Sequence, residues 1–184
     1  MLCVFGSPRS GTTLLAQCLS SHSQIFIPYE TDFLAPVAFI FDRIPDLQIG
    51  RKIIVELITN TEGFRRGVGE YLTPDEIRDL VNCSEYSYAA VVHTIYQAIG
   101  AKNGATIVGD KSPNDLLFLR MIVKVGGLGA GVKVIHLVRD LRDVMASLHE
   151  RNWAADLDLW FPRFGELPTF ISTRYGRERL MHTS

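Results

Sequence analysis

The chain opens on an apolar run, Leu2 to Phe5, which meets the small and turn-forming residues Gly6-Ser7-Pro8-Arg9-Ser10-Gly11. Apolar residues then recur at helical spacing from Thr12 to Ser21, where the polar cluster Ser20-Ser21-His22-Ser23 closes the segment. This predicts a strand, a tight loop and a helix. A second β-prone run, Ile25-Phe26-Ile27, stops at Pro28. Phe33 to Phe41 is apolar and aromatic, and residues 42 to 72 are mixed, with helical periodicity around Lys52 to Ile58 and a turn-rich Gly63 to Gly69. Thr73-Pro74-Asp75-Glu76 predicts a helix start, because Thr can cap, Pro fits the first helical position and Glu can reach back. Another helix, over Tyr86 to Ile99, is expected to stop at Gly100. A strand over Ala105 to Val108 leads into Gly109-Asp110-Lys111-Ser112-Pro113, followed by a helix over Asn114 to Val125 and a Gly-rich turn from Gly126 to Gly131. Val132 to Val138 reads as the clearest buried strand, with Arg139-Asp140 at its carboxyl end before an amphipathic helix to about Arg151.

Strands that alternate with helices argue for an α/β fold, a parallel sheet with right-handed crossovers. Ligands in such sheets collect at the carboxyl ends of the strands. Ser7 to Thr13, Glu30, Lys111 and Arg139 all fall at predicted carboxyl ends.

A chain of 184 residues makes one domain with enough length for a sizeable core. Its net charge of −1 gives no global attraction to nucleic acid or to an anionic membrane, so any basic site must be local. No apolar run reaches the ~20 residues of a membrane span, and a signal peptide ahead of the first strand is not expected. Cys3, Cys18 and Cys83 are odd in number and lack metal-ligand spacing, which favours reduced, buried thiols and a cytoplasmic protein. None of the five histidines stands in a metal or triad spacing.

The candidate chemistry begins in the first loop. Small residues let main-chain N–H groups close around an anion, and the following helix adds partial positive charge at the same point. Gly6 to Gly11 followed by Thr12-Thr13 fits the nucleotide-loop spacing G-x-x-x-x-G-K-[ST] except at the lysine, where Thr12 stands. A terminal-phosphoryl chemistry loses its main cation there. Arg9 places a cation on the loop tip instead. A plain Gly/Pro turn capped by Ser or Thr explains neither Arg9 nor the double Thr, and the pattern suits a phosphate-bearing ligand other than ATP or GTP.

Pro8-Arg9-Ser10-Gly11-Thr12-Thr13 resembles the 5′-phosphosulfate loop of sulfotransferases, which take the sulfuryl group from 3′-phosphoadenosine 5′-phosphosulfate (PAPS). The resemblance implies a three-layer parallel sheet flanked by helices, of the P-loop nucleotide-hydrolase-like sulfotransferase type. It also implies that Pro8, Arg9, Ser10, Gly11, Thr12 and Thr13 hold the 5′-phosphate and the transferring sulfonate. Val138-Arg139-Asp140-Leu141-Arg142-Asp143-Val144-Met145-Ala146-Ser147 is similar to the family's 3′-phosphate site, making Arg139 and Ser147 ligands of that phosphate. Asp140 can cap the helix, and Ser147 lies two turns in, ~10 Å along its axis.

Sulfuryl transfer to a hydroxyl needs a group that accepts the acceptor's proton. The cytosolic branch of the family uses a His after the third of these strands, where this chain reads Asp110-Lys111-Ser112-Pro113. Pro28-Tyr29-Glu30-Thr31 instead resembles the Glu-Thr segment of the tyrosylprotein sulfotransferase branch, which implies Glu30 as base. Lys111 matches that branch's Lys at the bridging oxygen. The implied reaction is an in-line displacement that needs no metal, with PAPS as donor, 3′-phosphoadenosine 5′-phosphate (PAP) as product, and a hydroxyl-bearing small molecule, carbohydrate or peptide as acceptor. A membrane or nucleic-acid partner is not expected, and an oligomer is compatible.

The motifs carry the resemblance over residues 1 to about 153. The Arg-Tyr-Glu-Asp-Leu strand and basic closing loop of the family have only the echo Arg174-Tyr175-Gly176-Arg177, so the expectation is one sulfotransferase domain over 1–184, C-terminally short, with a nucleotide-binding core at 1–153 and a tail at 154–184. Two alternatives stand beside a transferase. One is a non-catalytic or incomplete PAPS- or PAP-binding remnant; the other, behind it, is a P-loop small-molecule kinase needing a cation at position 12.

Overall fold

The structure is a computed structural model and describes residues 1–60, 62–129 and 131–151. The expected tail at 154–184, with the Arg174 to Arg177 echo, lies outside the described residues. A compact unit runs over Met1–Val138 and a second begins at Arg139. In the first, strands β1 (Leu2–Gly6), β2 (Ile25–Phe26), β3 (Ile107–Asp110) and β4 (Lys133–Leu137) form one sheet in the order β2-β3-β1-β4, all parallel. Helix α1 (Thr12–Ser20) follows β1. Helices α2 (Leu34–Arg43), α3 (Leu47–Asn60), α4 (Glu62–Arg66), α5 (Pro74–Cys83) and α6 (Tyr88–Lys102) lie between β2 and β3, and α7 (Leu119–Lys124) precedes β4. Every residue of the central strand β1 is buried.

Successive side chains of a strand face opposite ways, so the sheet must be covered twice. Leu2 and Val4 of β1 pack with Ala16 of α1 and Ile27 on one face. Val108 of β3 joins a larger core of helical residues, among them Phe33, Val37, Ile54, Ile58, Ile77, Ile95, Tyr96 and Ile99. That is the expected three-layer α/β arrangement.

Local side-chain caps set the starts of α5 and α6. Thr73 caps α5 in a capping box, its hydroxyl accepting from the Glu76 N–H while the Glu76 carboxylate accepts from the Thr73 N–H, with Pro74 next. Ser87 caps α6 by accepting from the Ala90 N–H. Four expectations are corrected. Gly100 does not stop α6, which runs on to Lys102; a Cβ there would stand 2.1 Å from Val108 Cγ2, so the glycine lets β3 approach the helix. The third strand is Ile107–Asp110 rather than 105–108, because the Thr106 and Ile107 N–H groups turn to the Gln24 carbonyl at its start. The expected helix 114–125 divides into a 3₁₀ segment, Pro113–Phe118, and α7. Finally, among the described residues β4 lies at the edge of the sheet: it pairs with β1, and Lys133, Val134 and His136 are exposed. Of the three thiols, Cys3 is buried as expected, whereas Cys18 and Cys83 are exposed at α1 and α5.

In the second unit, α8 (Leu141–Glu150) starts at Asp140, whose carboxylate accepts from the Arg142 N–H at 2.8 Å. Val144 and Leu148 are buried on one face, as the amphipathic pattern predicts.

Candidate functional site

In the order β2-β3-β1-β4 the connection from β1 to β2 passes β3 and that from β3 to β4 passes β1, and the two lie on opposite faces, α1 packing with Leu2 and Val4 and α7 with the core around Val108. Such a switch point leaves a crevice at the strands' carboxyl ends. Gly6, Pro28 to Thr31, and Asp110-Lys111 all stand at that end.

The loop between β1 and α1 has the form its small residues suggest. The Ser10 N–H donates to the Ser7 carbonyl at 3.1 Å, and Arg9 and Gly11 adopt left-handed backbone with φ of 69° and 102°. A non-glycine residue in that region is uncommon and strained, and turns of this kind aim successive N–H groups into one concavity. Gly6 is required by space: a Cβ would lie 2.6 Å from Ser10 Oγ and 2.8 Å from both the Leu137 carbonyl oxygen and Thr12 Cγ2. Ser10 and Thr12 are buried, Pro8 and Arg9 are half-buried, and Thr13 is exposed.

Two features keep donors available in this loop. Gly11, at the N-cap of α1, offers no side-chain cap, and the first turn of α1 holds no acidic residue. The Ser10 hydroxyl is buried without a hydrogen-bond partner among the described residues. A buried polar atom normally finds a partner. Helix N–H groups, a loop concavity and an unused hydroxyl fit the oxyanions of a phosphate or sulfonate.

Beside this loop, the Lys111 ammonium donates to Glu30 Oε1 at 2.9 Å and to Thr13 Oγ1 at 3.2 Å. It also sits 4.8 Å from the centre of the Tyr29 ring, within reach of a cation–π contact. Lys111 is 1% exposed. Full burial of an ammonium is costly unless it is paired, and the Glu30 carboxylate supplies the opposite charge. The structure therefore gathers Thr13, Glu30 and Lys111 from three separate segments into one hydrogen-bonded cluster.

A second layer lies behind that cluster, and sequence reasoning missed it. Asp110 is fully buried, and its Oδ1 accepts from Tyr96 Oη at 2.6 Å, Thr31 Oγ1 at 2.8 Å and Ser112 Oγ at 3.1 Å. Burial pushes the Asp110 carboxyl above its ordinary range, against the pull of those hydroxyls. Asp115 is also buried, and burial first, then the Asp110 charge, pushes its carboxyl well up. Burial and Asp110 likewise raise the Tyr96 phenol. The Cys3 thiol is pushed up to about 12 by burial and by Asp110. The Thr31 next to Glu30 and the Asp next to Lys111 were visible in the sequence. Nothing in it paired them, because the bond spans 79 positions.

Arg139 and Ser147 belong to the second unit. Arg139 Nε lies 3.6 Å from Asp143 Oδ2, one helical turn on, and Ser147 is half-buried on α8. Asp140 pairs with Arg142 at 2.8 Å as well as capping α8.

A family model described as "Sulfotransferase family" matches residues 2–182, further than the stretch to about 153 over which the motifs carry the resemblance. No curated protein and no solved structure matches the chain significantly. Among the described residues, no helix is long and apolar enough to cross a membrane.

Proposed function

The chain belongs to the sulfotransferase family, and from that premise we propose that it moves the sulfuryl group of PAPS to a hydroxyl acceptor, with Glu30 as base. The observation that carries the proposal is the cluster of Lys111 with Glu30 at 2.9 Å and Thr13 at 3.2 Å, beside a loop whose buried Ser10 hydroxyl is unused. A base, a cation and an anion cradle stand together there.

In this reading the residues 8–13 of the loop bind the 5′-phosphate and the sulfonate of the donor substrate, and Arg139 and Ser147 hold its 3′-phosphate. The acceptor oxygen attacks sulfur in line with the bridging oxygen. One S–O bond forms as the other breaks, and the hydroxyl proton passes to Glu30. The electron pair of the broken bond leaves on the phosphate oxygen of PAP, where Lys111, Arg9 and the loop amides stabilise it. Fixed cations suffice for a sulfonate, which carries less charge than a terminal phosphate, so no metal enters the reading. The acceptor class extends to small molecules, carbohydrates and peptides.

The test pairs two measurements on wild type and Glu30→Gln: binding of PAP by calorimetry, and transfer of label from sulfonate-labelled PAPS to a panel of hydroxyl compounds. Binding in both proteins with transfer only in wild type is expected. Equal loss of binding and transfer in the variant contradicts the base assignment. Binding without transfer by wild type across the panel would favour a donor-binding remnant.

A further inference from the structure

Two short segments meet at the site through three pairs. Lys111 bonds Glu30 at 2.9 Å, Thr31 Oγ1 donates to Asp110 Oδ1 at 2.8 Å, and the Asp32 N–H donates to Ser112 Oγ at 3.3 Å. Side chains along an extended segment face alternately. Asp110 and Ser112 accordingly face the core together and share a hydrogen bond, while Lys111 faces the opposite way, toward Thr13 and Glu30. The inner pair is closed off from water, with Thr31 and Asp110 both at 0% exposure.

The inner pair is also bolted to the helical core. Tyr96 of α6 donates to Asp110 at 2.6 Å, lies 2.8 Å from Thr31 Oγ1, and stacks on Phe33 with ring centres 5.5 Å apart. Glu30 and Lys111 carry long side chains with many rotamers, and nothing in an isolated ion pair fixes where it stands. Their immediate chain neighbours are held in a dry network in which one oxygen of Asp110, Oδ1, accepts from three hydroxyls.

We propose that Thr31 and Asp110 are positioning residues, whose buried bond, locked by Tyr96, fixes the separation of Glu30 and Lys111. The proposal rests on the reading of Glu30 and Lys111 as base and cation. Without the inner bond, residues 28 to 31 lose their fixed register on β3 and the ammonium of Lys111 becomes reachable from solvent.

The experiment follows reductive methylation of lysines in the full chain, by peptide mass spectrometry, for wild type, Thr31→Val, Thr31→Ser and Tyr96→Phe. Lys102 and Lys124, exposed and paired with Glu76 and Asp42, are the internal standards. In wild type Lys111 should be the slowest of the three. Thr31→Val should speed Lys111 alone by roughly tenfold, the effect of one buried hydrogen bond on a local opening. Thr31→Ser keeps the hydroxyl and should restore the wild-type rate, and Tyr96→Phe should fall between. An unchanged Lys111 rate relative to the standards, read in Tyr96→Phe should Thr31→Val not fold, overturns the proposal. Equal acceleration of all three lysines, or no rescue by Ser, overturns it too. The measurement uses no donor, so absence of PAP binding would defeat the sulfuryl-transfer reading while leaving these rates to speak for themselves.

Discussion

Lys111 Nζ stands 2.9 Å from Glu30 Oε1, joining residues 81 positions apart at the mouth of the β1–β3 crevice. The pair has different surroundings on its two sides: the Lys111 side chain is 2% exposed and that of Glu30 16%. The cation is therefore the fixed partner, and the carboxylate the one nearer an incoming molecule. A carboxylate near solvent with a buried cation behind it suits the proposed reaction, in which a proton arrives from one side and negative charge departs on the other.

Replacing Lys111 by Met removes the charge and keeps a long apolar stem. Transfer should fall by about 10² to 10³ in kcat, the usual loss on removing one charge-stabilising donor. Lys111→Arg should not rescue it, because a planar guanidinium has no space where an ammonium is already 1% exposed. Single-turnover kinetics check this; activity of Lys111→Met within twofold of wild type would remove Lys111 from the reaction.

Gly6→Ala places a methyl group 2.6 Å from Ser10 Oγ and 2.8 Å from the Leu137 carbonyl. The loop must open or β4 must shift, and one of these atoms is backbone. A stability loss of about 1–3 kcal/mol is expected, as for other overpacked sites. PAP affinity should fall further than that of Gly104→Ala, where the added Cβ meets nothing within 4 Å, although φ of 65° strains that position also. Urea melts and calorimetry on both variants check the contrast.

Asp115 and Asp110 make stability fall with rising pH. Burial lifts the Asp115 carboxyl well above its ordinary 3.8, so the folded protein keeps a proton that the unfolded chain has already released. Its contribution is complete below that ordinary value and is lost as pH rises through the folded one. Glu76 acts with the opposite sign: the Lys102 ammonium and the Thr73 N–H hold it down at about 2, so its contribution is present above its ordinary 4.5 and lost as pH falls toward 2. Asp115→Asn should flatten the decline above the ordinary carboxylate value of 3.8 and leave the acid limb in place. Urea unfolding across that range measures the slope; an unchanged decline in the variant would contradict the assignment.

Much of the fold was legible because it is written locally. The Gly6 to Gly11 turn, the Thr73 capping box and the Asp140 cap each act within a few residues of themselves. The β4 misreading has a physical reason: an apolar run shows that a strand forms, while its burial depends on which strands flank it. Gly100 misled for a similar cause, since its missing Cβ serves contact with Val108 rather than a helix end. Glu30, Lys111 and Thr13 were identified singly by resemblance. Their meeting, and the Thr31–Asp110–Tyr96 layer behind them, are tertiary facts that no spacing encodes.

The most direct measurement is calorimetric titration of the wild-type chain and of Arg139→Ala with adenosine 3′,5′-bisphosphate, AMP and ATP with magnesium. A sulfuryl-donor site should bind the bisphosphate in the micromolar range, bind AMP at least about tenfold more weakly for want of the 3′-phosphate, and lose that preference in Arg139→Ala. Equal affinity for AMP and the bisphosphate, or a preference for ATP that requires magnesium, would contradict a PAPS site in this protein.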